Sequence, residues 1–106
     1  MILGLDVSTS IIGVCLLKDG EVVKTDYIDL RKTQGLLHKA KVVEDYITHN
    51  LQEEDIEHIF IEQALMFFRR GGSTAKTMAV LQNFNGVVSW LCFKMLSLEP
   101  KYVTPI

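Results

Sequence analysis

Proline and cysteine are scarce in this chain, with two of each among 106 residues. Glycine is modest at seven. No linker, low-complexity run or internal repeat is visible, so the chain reads as one small domain. Its apolar stretches are too short or too interrupted to cross a bilayer, which argues against a membrane partner. The N-terminus enters a strand-like run almost at once, so no signal peptide is expected. Cys15 and Cys92 lie far apart in sequence, each within an apolar segment. They read as buried free thiols, which fits a reducing, cytoplasmic setting, and nothing favours a disulfide between them. Basic excess is also missing, with 11 Lys and Arg against 13 Asp and Glu and a formal net charge of -2. That speaks against a protein whose main task is non-specific nucleic-acid binding. It leaves room for a metal-dependent nuclease, because clustered carboxylates make such a site acidic and bound cations reverse the local sign.

What the chain has is a core. Hydrophobic residues make up 48% and charged residues 23%, the balance of a globular domain. Ile2 to Val7 and Ile11 to Leu17 are short, branched, apolar runs that read as strands, separated by the polar turn Ser8-Thr9-Ser10. Asp19-Gly20 between two such runs predicts a two-residue hairpin. The strand that follows, Glu21 to Ile28, is more polar and suits a sheet edge. The period then changes. Leu36, Ala40, Val43, Ile47 and Leu51 recur at helical spacing and predict an amphipathic helix lying on the sheet. His58 to Glu62 is another buried strand, and the helix before it supplies the crossover that parallel pairing with the first strand requires. Gln63 to Gly72 reads as a loop. Ser73 or Thr74 is a candidate N-cap for a long second helix carrying Met78, Leu81, Phe84, Val88, Leu91, Cys92 and Met95, which ends before Pro100. Lys101 to Thr104 completes the order β-β-β-α-β-α-β, an α/β domain with helices packed on a mixed five-stranded sheet.

Two acids stand out in this order. Asp6 ends the first strand and Glu62 ends the fourth. An acid at the end of a buried strand costs desolvation energy unless a charge meets it. Parallel neighbours lie about 4.8 Å apart, so in-register carboxylates share reach of one hard cation such as Mg²⁺, which prefers oxygen ligands. The bland alternative for either acid alone is a carboxylate satisfied by backbone N–H groups or solvent. Gly4 should share the face of Asp6, with Gly13 close by. They either leave space for a phosphate or metal, or mark a sheet position crowded by a covering helix. Arg69 and Arg70 beside the loop, and Lys76 at the start of the next helix, are candidate phosphate contacts. Phe67 and Phe68 are candidates for stacking on an unpaired base, with core packing as the alternative. Asp19, Asp26 and Asp29 read as solvated surface groups, and His38, His49 and His58 show no metal-ligand spacing. The apolar arc of the second helix looks wider than one sheet face can cover. With Gly86 in mid-helix, it predicts a homodimer interface at Phe84, Gly86, Val88 and Leu91.

The segment Ile2-Leu3-Gly4-Leu5-Asp6 with Gly13 downstream, and Ile61-Glu62-Gln63 followed by a loop and a long helix, together resemble the ribonuclease H-like fold. Within it, the RuvC-type Holliday junction resolvases are the nearest family. The resemblance implies a homodimeric endonuclease that cuts branched DNA with Mg²⁺ or Mn²⁺ by two-metal hydrolysis. Asp6 would bridge the two ions and Glu62 would bind one of them. It also implies further acids on a helix after the fifth strand, which would lie past Ile106, so residues 1–106 would form an incomplete domain. Val7-Ser8-Thr9-Ser10 departs from the Pro-Gly or similar small turn expected after the first acid. Two other functions fit parts of the chain. Leu3-Gly4-Leu5-Asp6-Val7-Ser8-Thr9-Ser10 also resembles the first phosphate loop of actin-like ATPases and sugar kinases, although Glu62 stands where those enzymes carry small residues. A catalytically inactive DNA-binding module fits the same motifs as the nuclease.

Overall fold

The computed structural model describes residues 1–62 and 75–104. The elements are β1 (Ile2–Asp6), β2 (Ile11–Lys18), β3 (Glu21–Asp29), α1 (Leu36–Asn50), β4 (His58–Glu62), α2 (Ala75–Leu96) and β5 (Lys101–Val103). They follow the order predicted from the sequence. The loop expected at Gln63–Gly72 and the N-cap at Ser73 or Thr74 lie outside the described residues.

The strands form one mixed sheet in the order β3-β2-β1-β4-β5. The first three are an antiparallel meander, and β4 and β5 add in parallel on the other side. The β2–β3 turn has positive φ at both central residues, 54° at Asp19 and 80° at Gly20. That is the conformation whose twist matches the flanking strands, and Asp-Gly is the pair that tolerates it. β3 is an edge strand, as its polarity suggested. Charges along an edge discourage pairing with another sheet.

Strand alternation divides the sheet into two unlike faces. Leu3, Leu5, Ile12, Val14, Leu16, Ile59 and Ile61 point to one side and are buried. They join Val43 and Ile47 of α1 and Phe84, Val88, Leu91 and Cys92 of α2 in a single core. Both helices therefore cover this face, in two layers. The Tyr46 hydroxyl of α1 donates to Asp26 of β3 at 2.7 Å, tying the helix to the edge strand. Asp29 holds Arg31 through two guanidinium hydrogen bonds of 3.0 and 2.9 Å. Asp26 and Asp29 thus carry specific partners, where solvated groups were expected.

The interface expected at Phe84, Val88 and Leu91 is corrected by this packing. Phe84 and Val88 have no exposed surface and Leu91 has 7%. Their side chains fill the space between α2 and the sheet and offer nothing to a second subunit. Gly86 lies on the opposite, exposed side of α2, where a Cβ would meet no atom within 4 Å. The same side carries Trp90 and Phe93, both large, apolar and exposed. The excess apolar surface inferred from the sequence exists, but on the other side of the helix.

Among the described residues, no helix is long and apolar enough to cross a membrane. Cys92 is fully buried, and burial pushes its thiol up to about 12. Cys15 is only half-buried and faces the side of the sheet that no described helix covers, so the expectation of burial holds for one thiol of the two.

Candidate metal centre

The carboxylates come together through register. In the parallel β1–β4 pair, Ile2 faces His58, Gly4 faces Phe60 and Asp6 faces Glu62. Two five-residue strands of matching length thus end on their acids side by side. Both acids belong to the face that no described helix covers, since their neighbours Leu5 and Ile61 are the ones turned into the core. Asp6 is exposed and Glu62 half-buried. Neither accepts a hydrogen bond nor forms an ion pair among the described residues. Among the described residues, no backbone N–H satisfies either acid.

The glycines open the space around them. Gly13 of β2 is the direct partner of Asp6 on the other side of β1. A Cβ built on Gly13 would stand 3.6 Å from the Asp6 Cβ, an ordinary contact that would still narrow the approach to the carboxylate. Gly4 faces Cys15, and a Cβ added to Gly4 would meet its nearest neighbours, both atoms of Cys15, at 3.9 Å. No described helix crowds either residue, so of the two roles foreseen for these glycines, space beside Asp6 is the one that fits. Asp6 and Glu62 line an open groove of about 460 Å³ together with Gly4, Gly13, Cys15, Phe60 and Val103. Thr25 and Asp26 of β3 also line it, and apart from these and the two acids its lining is apolar.

The turn after Asp6 is fixed from three directions. The Ser8 hydroxyl donates to the Ile11 carbonyl at 2.6 Å and accepts from the Ile11 N–H at 3.0 Å. The Leu30 N–H donates to the Ser10 carbonyl at 2.8 Å. The Lys39 ammonium, from the first turn or so of α1, donates to the Thr9 carbonyl at 2.6 Å. Lys39 had no sequence signal. It lies 30 residues from Thr9 and only the fold brings them together. Cys15 likewise joins the groove through β1–β2 pairing alone.

The other candidates are distributed as follows. Lys76 lies exposed in the first turn of α2. Arg69, Arg70, Phe67 and Phe68 lie outside the described residues. Among the described residues, no cluster of three or more His, Cys, Asp or Glu side chains could hold a metal ion. Two carboxylates are nonetheless a fitting donor set for Mg²⁺, which usually keeps several waters and is held by one or two carboxylates plus substrate phosphate.

No protein-family model and no curated protein matches this sequence. Solved structures do match. The fold is ribonuclease H-like, and the likeness runs to RuvC. A structure of Thermus thermophilus RuvC in complex with a Holliday junction substrate superposes with a TM-score of 0.73 at 12% identity, covering 98% of this chain and 64% of that one. A second T. thermophilus RuvC structure gives 0.67 at 11% identity, covering 98% and 61%. The chain thus spans somewhat under two thirds of the length of these RuvC chains. At this identity the likeness establishes a RuvC-like fold and leaves the chemistry to the site.

Proposed function

We propose that this domain is the metal-binding part of an endonuclease that cuts branched DNA of the Holliday junction class. The observation that carries the reading is the Asp6–Glu62 pair: two carboxylates without a partner among the described residues, in register, at the C-terminal ends of adjacent parallel strands. Strand ends of this kind are where ligands bind in open α/β sheets. Mg²⁺ or Mn²⁺ held there by Asp6 and Glu62 would supply a nucleophilic water at neutral pH and would neutralise charge on the phosphodiester. The two carboxylates bind and orient, Asp6 from the centre of the sheet and Glu62 from its parallel neighbour. Gly13 and Gly4 keep the approach open for a phosphate.

Lys76, Arg69 and Arg70 serve as phosphate contacts in this reading, and Phe67 and Phe68 as stacking groups for unpaired bases. The T. thermophilus RuvC structure contains a Holliday junction substrate, which supports DNA as the ligand class. A homodimer suits a junction that must be cut on two strands. Its contact would lie on the exposed side of α2, at Gly86, Trp90 and Phe93. Two free thiols fit a reducing, cytoplasmic compartment.

The test uses the complete natural protein, a four-way junction and Mg²⁺ or Mn²⁺. Wild type is expected to bind Mn²⁺ by calorimetry and to cleave the junction. Asp6→Asn is expected to lose both while still binding the junction in EDTA. Wild-type cleavage by Asp6→Asn refutes the metal pair. MgATP hydrolysis without junction binding selects the actin-like ATPase alternative. Junction binding without cleavage by wild type selects the inactive module.

A further inference from the structure

Lys39 is a half-buried cation without a counter-charge. It forms no ion pair among the described residues, and residues 63–74 and 105–106 contain no acid that could supply one. One of its three N–H groups is used by the Thr9 carbonyl. Thr9 is itself half-buried, and neither its hydroxyl nor its N–H has a partner among the described residues. Two N–H groups of an ammonium, one hydroxyl and one amide N–H therefore collect at a single turn. Donors and a positive charge with no acceptor among the described residues suit an anion by their chemistry.

The place of this turn narrows the anion. Thr9 follows Asp6 by three residues, so the two Cα atoms are at most about 10 Å apart. Duplex DNA rises about 3.4 Å per phosphate along one strand. A phosphate at Thr9 and Lys39 is then within roughly three phosphates of one held at the carboxylate pair. The turn cannot swing away, because Ser8, Leu30 and Lys39 each hold it by hydrogen bonds. The two places meet at the C-terminal end of β1: the carboxylates take a cation on the face that no described helix covers, and Lys39 takes the anion from the α1 side of the turn.

We infer that Lys39 and Thr9 bind a backbone phosphate flanking the one held at Asp6 and Glu62, so that the turn sets the register of the DNA strand on the metal centre. The inference rests on the nuclease reading for the source of the phosphate. The same chemistry would accept a nucleotide phosphate, and the experiment separates the two.

The experiment measures binding of the complete protein to a four-way junction in EDTA across a salt series, for wild type, Lys39→Met, Lys39→Arg and Thr9→Val. Lys39→Met keeps the length and packing of the stem but removes the charge. Its slope of log affinity against log salt should fall by about 0.9, equivalent to roughly eightfold in affinity for each tenfold change in salt. Lys39→Arg should restore the slope. Thr9→Val should weaken binding at every salt concentration with the slope unchanged. Thermal unfolding of each variant identifies the folded ones, and Thr9→Val with Lys39→Arg suffices should Lys39→Met fail to fold. Wild-type slope in Lys39→Met, or in its absence wild-type affinity in Thr9→Val, overturns the inference and leaves the nuclease reading standing. If wild type binds no junction but binds MgATP, and Lys39→Met or Thr9→Val weakens that binding, the phosphate site stands and the nuclease reading falls. Binding of neither ligand by wild type overturns both.

Discussion

Replacing Val88 and Trp90 by Ala, one at a time, separates the two faces of α2. Val88 has no exposed surface. Truncation removes two carbons, about 1.6 kcal/mol of transfer free energy, and the residual cavity adds roughly 1 kcal/mol. A loss of about 2 to 3 kcal/mol is large for a domain whose total stability is on the order of 5–15 kcal/mol. At about 4–8 °C per kcal/mol for a domain of this size, the midpoint should fall by roughly 10–20 °C. Trp90 is 57% exposed and meets Phe93 with ring centroids 6.3 Å apart. Losing that ring contact costs the monomer about 1 kcal/mol. If a dimer covers the exposed part of the indole, each copy contributes about 2 to 3.5 kcal/mol to association, more than thirtyfold in Kd. Denaturant unfolding reads the first quantity, and light scattering over a micromolar dilution series reads the second. Val88→Ala should be destabilised yet associate like wild type when folded, whereas Trp90→Ala should be folded and monomeric. A Val88→Ala protein of full stability that has lost its dimer would return the interface to the buried face and refute the packing of α2 on the sheet.

Three further outcomes are expected. Replacing Arg69 and Arg70 by Ala in the complete protein should weaken binding to all junction sequences alike and lower the salt slope by roughly one unit per lost contact, whereas an unchanged slope would mean that the pair touches no phosphate. The Tyr46 hydroxyl, followed by the Tyr27 N–H, holds the Asp26 carboxyl below its ordinary value. A lowered carboxylate pKa stabilises the fold above the unfolded value, about 3.9, and that contribution is lost as pH falls through the folded value. Tyr46→Phe should accordingly be less stable than wild type at pH 6, with the gap closing below about pH 4 in paired denaturation curves; a pH-independent gap would assign the effect to packing alone. Maleimide at pH 8 should label Cys15 on the open groove while sparing Cys92, whose buried thiol is pushed up to about 12. Equal labelling by mass spectrometry would mean that α2 opens from the sheet on the time scale of the reaction.

The strands, both helices and the parallel register of Asp6 with Glu62 were legible because each rests on local pattern. Short, branched, apolar runs mark β1, β2 and β4, although the sequence suggested burial on both faces where the structure alternates buried with partly exposed positions, and Asp19-Gly20 forces the hairpin. An acid closing each of two equal strands then leaves one natural register. The second helix was legible in extent but not in orientation. It is apolar nearly all round, so helical spacing alone did not tell the side of Phe84 and Val88 from the side of Trp90 and Phe93. Only docking on the sheet decides which side is buried. Asp26 looked like a free edge charge, because the Tyr46 that meets it is 20 residues away. Lys39 looked like any polar position on an amphipathic helix, and its contact with Thr9 exists only once α1 lies on the sheet. Contacts across such distances carry no local signature, and the environment of this site is built mainly from them.

The carboxylate pair should also leave a mark on stability that does not require cleavage to be seen. Asp6 and Glu62 are adjacent in the parallel pair and have no hydrogen-bond or ion-pair partner among the described residues. Two like charges about 5 Å apart repel by roughly 3 kcal/mol at an effective dielectric of 20. Exposure of Asp6 lets water and salt screen most of this, leaving a cost on the order of 0.5–1 kcal/mol. Asp6→Asn removes one charge and keeps the shape, so the metal-free variant should be more stable than wild type by about that amount. Added Mn²⁺ should then stabilise wild type, by about 2.7 kcal/mol at one hundred times the dissociation constant, and do little for the variant. An acid kept only for structure would give the opposite sign without metal, because its loss would remove a favourable interaction. A wild-type protein more stable than Asp6→Asn in EDTA and indifferent to Mn²⁺ would therefore refute the metal centre, independently of any assay on DNA.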